Sequence, residues 1–214
     1  MYDLVLFDMD GTLISSGEGI LSSYMLTLEH FGVYDKTPED LRFMLGPPIR
    51  DSFRTLGCFE ESQIEDVVTK CREYFAENGM KGFYLFDGVV DMLEALKSKD
   101  IKMAVATSAR TTSAKECLGH FDIAKYFEII VGANQDGSRS EKPEIIAYIL
   151  KSLSKGYNPI MIGDRKFDIL GAKAHGMSSI GCLWGYGDEV ELLEAGATYL
   201  VKSPNEVLDL ILKA

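Results

Sequence analysis

Leu4-Val5-Leu6-Phe7-Asp8-Met9-Asp10-Gly11-Thr12-Leu13 is the stretch around which the rest of the chain is organised. Its first residues form a short apolar run of the kind that makes a buried strand. The run closes on two acids separated by one residue, and a glycine follows at once. Side chains alternate faces along an extended chain, so Asp8 and Asp10 would share a side if the strand continued. Gly11 predicts a break there, which leaves both acids at the carboxyl end of the strand. In open α/β sheets that edge is where ligands bind. Asp and Gly also mark ordinary turns, so other segments have to decide between a site and a surface acid pair.

Downstream the periodicity changes twice. Residues 15–80 are almost wholly helical in pattern. A stripe of Ile20, Leu21, Tyr24, Met25, Leu28 and Phe31 predicts one helix. Thr37-Pro38-Glu39-Asp40 predicts the start of a short second one, through Leu45. After Gly46-Pro47-Pro48, Ile49, Phe53 and Leu56 predict another turn or two, and Glu61–Asn78 a further helix stopped by Gly79. Beyond Asp87-Gly88 strands alternate with helices. The predicted strands are Ile101–Ala106, Phe127–Val131, Pro159–Ile162, Ser178–Leu183 and a small last one at Thr198–Val201. Ser203-Pro204-Asn205-Glu206 predicts a capping box for the closing helix.

Alternation of this kind predicts an α/β fold, a Rossmann-like parallel sheet with helices on both faces. The helical block falls between the first strand and everything else. The expected organisation is therefore a core domain, 1–14 and 82–214, with a helical cap domain, 15–81, inserted after strand one. The insert leaves from the edge that carries the acid pair, a suitable place for a lid.

Composition narrows the function classes. The 214 residues are 46% hydrophobic and 26% charged, enough for a sizeable core. A net charge of −11 argues against a nucleic-acid partner. It leaves open a small phosphorylated substrate held by a local positive pocket or a metal. Cys58, Cys71, Cys117 and Cys182 are scattered without zinc or disulfide spacing, and are expected to be reduced thiols. The amino end has no basic region ahead of its apolar run, unlike a signal peptide. No apolar run reaches the roughly 18–20 residues of a membrane span, and the expected location is cytoplasmic.

The predicted strands of the core end in polar residues. Strand one carries Asp8 and Asp10, the next Thr107 and Ser108. Lys142 follows the third, and Gly163-Asp164 ends the fourth, with Asp168 one helical turn on. A parallel sheet collects all of them at one end. Clustered acids repel strongly unless a cation joins them, and an all-oxygen set with room for water suits Mg²⁺. Hydroxyls, backbone N–H groups and a lysine would cradle the oxygens of a phosphate. One carboxylate could act as nucleophile while the other moves the proton. Singly, each of these residues has an ordinary reading as a turn, a cap or a solvated side chain. Their joint order along the chain is what is specific.

That order resembles the haloacid dehalogenase superfamily of hydrolases. Phe7-Asp8-Met9-Asp10-Gly11-Thr12-Leu13 is similar to its D-x-D-G-T-L signature, and Ala106-Thr107-Ser108 to its second motif. Lys142 resembles its third motif and Gly163-Asp164-Arg165-Lys166-Phe167-Asp168 its fourth. The helical insert, with Leu183-Trp184-Gly185-Tyr186-Gly187, is similar to the small-cap branch that includes phosphoglycolate phosphatases.

The resemblance implies that Asp8 carries an aspartyl-phosphate and that Asp10 serves as acid and then base. Thr107 with neighbouring amides and Lys142 would hold the phosphoryl group. Asp8, the Asp10 carbonyl, Asp164 and Asp168 would form the Mg²⁺ site. A leaving-group acid at Asp10 speaks against dehalogenation, which needs none.

The expected function is a Mg²⁺-dependent phosphomonoester hydrolase of small metabolites. Phosphoglycolate or a nucleoside monophosphate leads among substrates, and Arg50 of the insert is the candidate specificity residue. A sugar phosphomutase of the β-phosphoglucomutase kind is the nearest alternative. A phospho-receiver module is a remote one. The protein is expected to be a monomer or homodimer.

Overall fold

β1 covers Leu4–Phe7, and all of its side chains are fully buried. A strand with no polar face suits the interior of a sheet covered by helices on both faces. After it come β2 (Ile14–Ser15), α1 (Gly17–His30), a 3-10 turn at Glu39–Met44, α2 (Ile49–Leu56), another at Glu61–Gln63, α3 (Ile64–Asn78) and β3 (Tyr84–Leu85). Helices and strands then alternate through α4 (Val89–Ser98), β4 (Lys102–Arg110), α5 (Thr111–His120), β5 (Ile129–Ala133) and α6 (Lys142–Ser152). The chain finishes with β6 (Pro159–Gly163), α7 (Lys166–Ala174), β7 (Ser178–Cys182), α8 (Glu189–Ala195), β8 (Tyr199–Val201) and α9 (Pro204–Lys213). This computed structural model describes residues 2–78, 80–136, 138–153 and 156–213. Gly79, the expected helix stop, and Gly137 of the loop after β5 lie outside them.

Two compact units divide the chain: Met1–Ile14 with Leu85–Ala214, and Ser15–Tyr84. The first holds a six-stranded sheet in the order β5-β4-β1-β6-β7-β8, parallel throughout. The chain adds β4 and β5 on one side of β1, then returns to its other side for β6, β7 and β8. The order therefore reverses beside β1, and the carboxyl ends of β1 and β6 border the crevice where such sheets bind ligands. Phe7 lies opposite Val105 and Ile162, so Asp8 falls one step further on, beside Ala106 and Gly163.

Leu4, Leu6, Ala104, Ala106 and Met161 of the central strands pack on Ile145, Ile146 and Ile149 of α6 and on Ala172 of α7. Each large aliphatic side chain buried this way contributes about 1.5–3 kcal/mol. The strand ends that carry polar residues are thus mounted on a close-packed base. The helical unit has a core of its own, formed by Tyr24, Leu28, Leu41, Met44, Phe53, Ile64, Val67, Val68 and Cys71. Tyr24 and Phe53 meet edge to face there, with centroids 5.4 Å apart.

Several boundaries differ from the expected ones for identifiable reasons. β4 runs on past Ala106 to Arg110, because its pairing resumes at Arg110–Ala133 after a register shift. Thr107 and Ser108 therefore sit within the irregular part of β4 rather than at its last residues. β5 begins two residues later than expected, since Ala124–Tyr126 form a 3-10 turn first. At α9 the Glu206 carboxylate accepts the Lys202 N–H at 2.8 Å, one residue outside the expected box partner Ser203.

Candidate active site

Asp8 stands where β1 gives way to a tight turn, and its own N–H donates to the Ile162 carbonyl of β6 at 2.8 Å. The N–H groups of Leu13 and Ile14 fold back on the Met9 carbonyl at 2.9 and 3.0 Å. Gly11 makes this turn with φ +85°, and a Cβ there would lie 2.2 Å from Asp164 Oδ2. Only glycine meets both demands, the left-handed backbone and the missing side chain.

Asp164 follows β6 directly. Its Oδ1 accepts the Thr12 hydroxyl at 3.0 Å, and its Oδ2 accepts the Tyr186 N–H at 2.7 Å. A Cβ on Gly185 would come within 2.3 Å of the Asp164 Cβ, so the loop after β7 closes on this acid because residue 185 has no side chain. The Trp184 indole donates to the Thr12 carbonyl at 3.0 Å and ties that loop to the β1 turn. Asp168 is the third residue of α7. Its Oδ2 accepts the Arg165 N–H at 3.1 Å, and Gly163 leaves room for its carboxyl group.

Lys142 opens α6. Its Nζ lies 2.7 Å from each of three oxygens: Asp8 Oδ1, Asp168 Oδ1 and the Ala106 carbonyl. It donates a hydrogen bond to the Ala106 carbonyl and stands at ion-pair distance from the two acids. A Cβ on Gly171 would stand 2.8 Å from the Lys142 Cβ, and that absence lets α7 press close to the base of the lysine.

The structure thus brings together Asp8, Asp164, Asp168 and Lys142, with relative exposures of 5%, 0%, 0% and 3%. The three acids offer carboxylate oxygens all within 4.8 Å of one another. Thr107 is also buried, and its Oγ1 accepts the Ala109 N–H at 3.1 Å, leaving the hydroxyl proton for another acceptor. Ser108 and Asp10 are half-buried. Asp10 is not in the carboxylate group; it stands near the buried Cys117 of α5, whose thiol is pushed up to about 12 by burial and then by that acid. Arg50 belongs to the helical unit, where its guanidinium forms a two-pronged pair with Glu65.

Burial, then the Asp168 charge, hold the Asp8 carboxyl well above the usual carboxylate range, against the opposing pull of Lys142. Asp164 is pushed up to about 7, chiefly by burial and secondarily by Asp168. Burial pulls Lys142 down, but Asp168 and Asp8 together more than offset it and bring it up to about 12. Three acids share a water-poor site with the Lys142 ammonium, and Arg165, which also draws on Asp164, is already paired with Glu191, so positive charge is in deficit. Asp168 Oδ1, moreover, is buried with no well-directed hydrogen bond, although the ammonium is at ion-pair distance. Compact, all-oxygen and short of positive charge, the set fits a hard divalent cation.

Thr12, Tyr186, Arg165 and the Ala106 carbonyl also fix the site, and the sequence alone did not single them out for it. The spaced glycines at 185 and 187 were the available signal, since a Cβ at Gly187 would lie 2.1 Å from the Asp164 carbonyl oxygen.

The family model for haloacid dehalogenase-like hydrolases matches residues 5–182, a span that includes every one of these acids and Lys142. The chain belongs to that family. As a haloacid dehalogenase-like hydrolase it is similar to the 5'-nucleotidase of Pseudomonas aeruginosa, with 36% identity over 192 residues, 89% of this chain and 87% of that one. It is also similar to the tyrosine-protein kinase PtkA of Mycobacterium tuberculosis, with 37% identity over 185 residues, 86% of this chain. That match spans 63% of the kinase's length, less than two thirds of it. The crystal structure of a predicted phosphatase from Clostridium acetobutylicum superposes with a TM-score of 0.95 at 39% identity, covering 100% of both chains. Among the described residues no helix is long and apolar enough to cross a membrane.

Proposed function

We propose that this chain is a Mg²⁺-dependent phosphomonoester hydrolase acting on small phosphorylated metabolites through an aspartyl-phosphate on Asp8. The observation that carries the reading is the buried group of Asp8, Asp164 and Asp168, with the Lys142 ammonium against two of them. In this reading Asp8, the Asp10 carbonyl and Asp164 hold Mg²⁺, with Asp168 in or just behind that shell. Bound Mg²⁺ supplies the missing positive charge and polarises the phosphoryl oxygens. The core domain is 1–14 with 82–214, and 15–81 is a cap that contributes specificity. The setting is cytoplasmic.

Asp8 must be anionic to act as the nucleophile, and Lys142 is the fixed group that favours that state. An Asp8 carboxylate oxygen attacks phosphorus and the bond to the leaving oxygen breaks, while Asp10 gives that oxygen its proton. Water then attacks phosphorus, Asp10 takes a proton from it, and the Asp8–phosphorus bond breaks to release inorganic phosphate. The Thr107 hydroxyl, Ser108 and neighbouring amides hold the equatorial oxygens through both steps. Positioning and electrostatics carry most of such a reaction.

Phosphoglycolate and nucleoside monophosphates lead as substrates, the latter supported by likeness to a 5'-nucleotidase. Likeness to a kinase-named protein supports a second reading, in which the acceptor is a hydroxyl other than water. The test is p-nitrophenyl phosphate with Mg²⁺. Multiple turnovers with release of inorganic phosphate, lost in EDTA and in Asp8→Asn by about 1,000-fold or more, are expected. Full activity in chelator removes the metal, and substantial activity in Asp8→Asn removes the nucleophile.

A further inference from the structure

α7 begins with an anomaly. Arg165 occupies its N-cap position, where Ser, Thr, Asp or Asn normally accepts an N–H of the first turn. Arginine has no acceptor to offer. The first turn of this helix carries Asp168, and Asp164 directly precedes the cap position.

The missing acceptor comes from another helix. Glu191 Oε1, in the first turn of α8, accepts the Lys166 N–H at 2.8 Å and the Arg165 Nε–H at 2.8 Å. Arg165 Nη2 reaches the other Glu191 oxygen at 3.4 Å. Glu191 is in turn fixed by its own N–H, which donates to the Asp188 Oδ1 cap of α8 at 2.8 Å. The Arg165 and Glu191 side chains are only 9% and 23% exposed, so the pair is poorly screened by water. Arg165 spends its backbone N–H on Asp168 Oδ2. A Cβ at Gly187 would lie 3.3 Å from Arg165 Cδ as well as against the Asp164 carbonyl, so the approach to α8 is shaped around this arginine.

We infer that Glu191 is a positioning residue for the metal site. It caps α7 from α8, clamps Arg165, and through that residue's main chain sets where Asp168 stands relative to Asp164. The inference rests on the Mg²⁺ reading above and adds a residue that touches neither metal nor substrate. Outer groups that orient metal-binding carboxylates typically change metal affinity or activity by about 10- to 100-fold when removed.

The test is calorimetric titration of the purified, metal-stripped full chain with Mg²⁺, alongside thermal unfolding with and without the ion. Trp184, the only tryptophan, gives a parallel fluorescence readout because its indole bonds to the Thr12 that bonds to Asp164. Glu191→Ala is expected to weaken Mg²⁺ binding about 10-fold or more. Glu191→Gln, which can still accept from Lys166 N–H, should lose less. Arg165→Met should cost much less in the Glu191→Ala background than alone, since the two act as one unit. Glu194→Gln, an exposed residue on the same helix, should bind Mg²⁺ like the wild type. Wild-type Mg²⁺ affinity in Glu191→Ala, with a lowered Tm or without, overturns the inference alone. Absence of Mg²⁺ binding by the wild type overturns the metal reading and this inference with it.

Discussion

In the helical unit, Arg54 Nη2 meets Glu61 at 2.6 Å with side chains 45% and 71% exposed. In the sheet unit, Lys142 meets Asp8 and Asp168 at 2.7 Å with side chains 2%, 7% and 0% exposed. The distances are alike and the physics is opposite. Water screens the first pair, and pairs of that kind contribute little to stability. The second has been stripped of water, and desolvation of its charges rivals their attraction. The helical unit is held by Phe53, Leu28, Val67 and their neighbours, and its surface charges are incidental to that core. The sheet unit keeps its buried acids although an apolar set would be cheaper to bury. Such a cluster at a strand-order reversal marks a site of chemistry rather than a device of folding.

The largest effect should come from breaking the buried group on its cationic side. Lys142→Met removes the ammonium that touches Asp8 and Asp168, and urea unfolding at pH 8 in EDTA should show a loss of about 3–5 kcal/mol. A loss within experimental scatter would mean that the lysine is not holding the cluster together.

A smaller effect is expected from pH. Native Asp164 keeps its proton to about pH 7, whereas the unfolded chain releases it near the ordinary aspartate value of 3.8. The native state therefore binds more protons between those limits, and stability contributed by this group falls as pH rises from about 4 to about 7. Burial and Asp168 push Asp8 in the same direction. Melting temperatures in EDTA should decline over that window in the wild type and decline less in Asp164→Asn. Mg²⁺ should flatten the slope, because binding expels the proton. Parallel curves for the two proteins would contradict the assignment.

The smallest effect belongs to the helical unit. Arg50→Ala removes the pair with Glu65, whose carboxyl that arginine holds below its usual range. Melting should barely change, and so should turnover of p-nitrophenyl phosphate. The ranking among natural phosphomonoesters is expected to shift. An unchanged ranking confines Arg50 to its surface pair.

What the sequence disclosed follows the same division. Asp8, Lys142, Asp164 and Asp168 were legible because each sits at a fixed offset from a strand or helix whose periodicity is plain. The supports were not, since they are set by tertiary contacts. Thr12 meets Asp164 across 152 residues, and the Tyr186 contact is made by a backbone N–H, which has no signature in side-chain chemistry. Glu191 carries no sequence signal for its role, since only the fold brings it to the Lys166 N–H of α7. The end of β4 was misplaced because Thr107 to Arg110 has the look of a turn, while pairing with β5 keeps it extended.

The central claim, that the buried acids and Lys142 form one metal-assisted phosphoryl-transfer site, is tested most directly by a crystal structure grown with Mg²⁺ and beryllofluoride. Beryllofluoride is expected on an Asp8 carboxylate oxygen and touching Thr107, with the ion held between Asp8 and Asp164. Electron density that places the ion elsewhere, or leaves the Asp8 carboxylate unmodified while another residue carries the beryllofluoride, would contradict it.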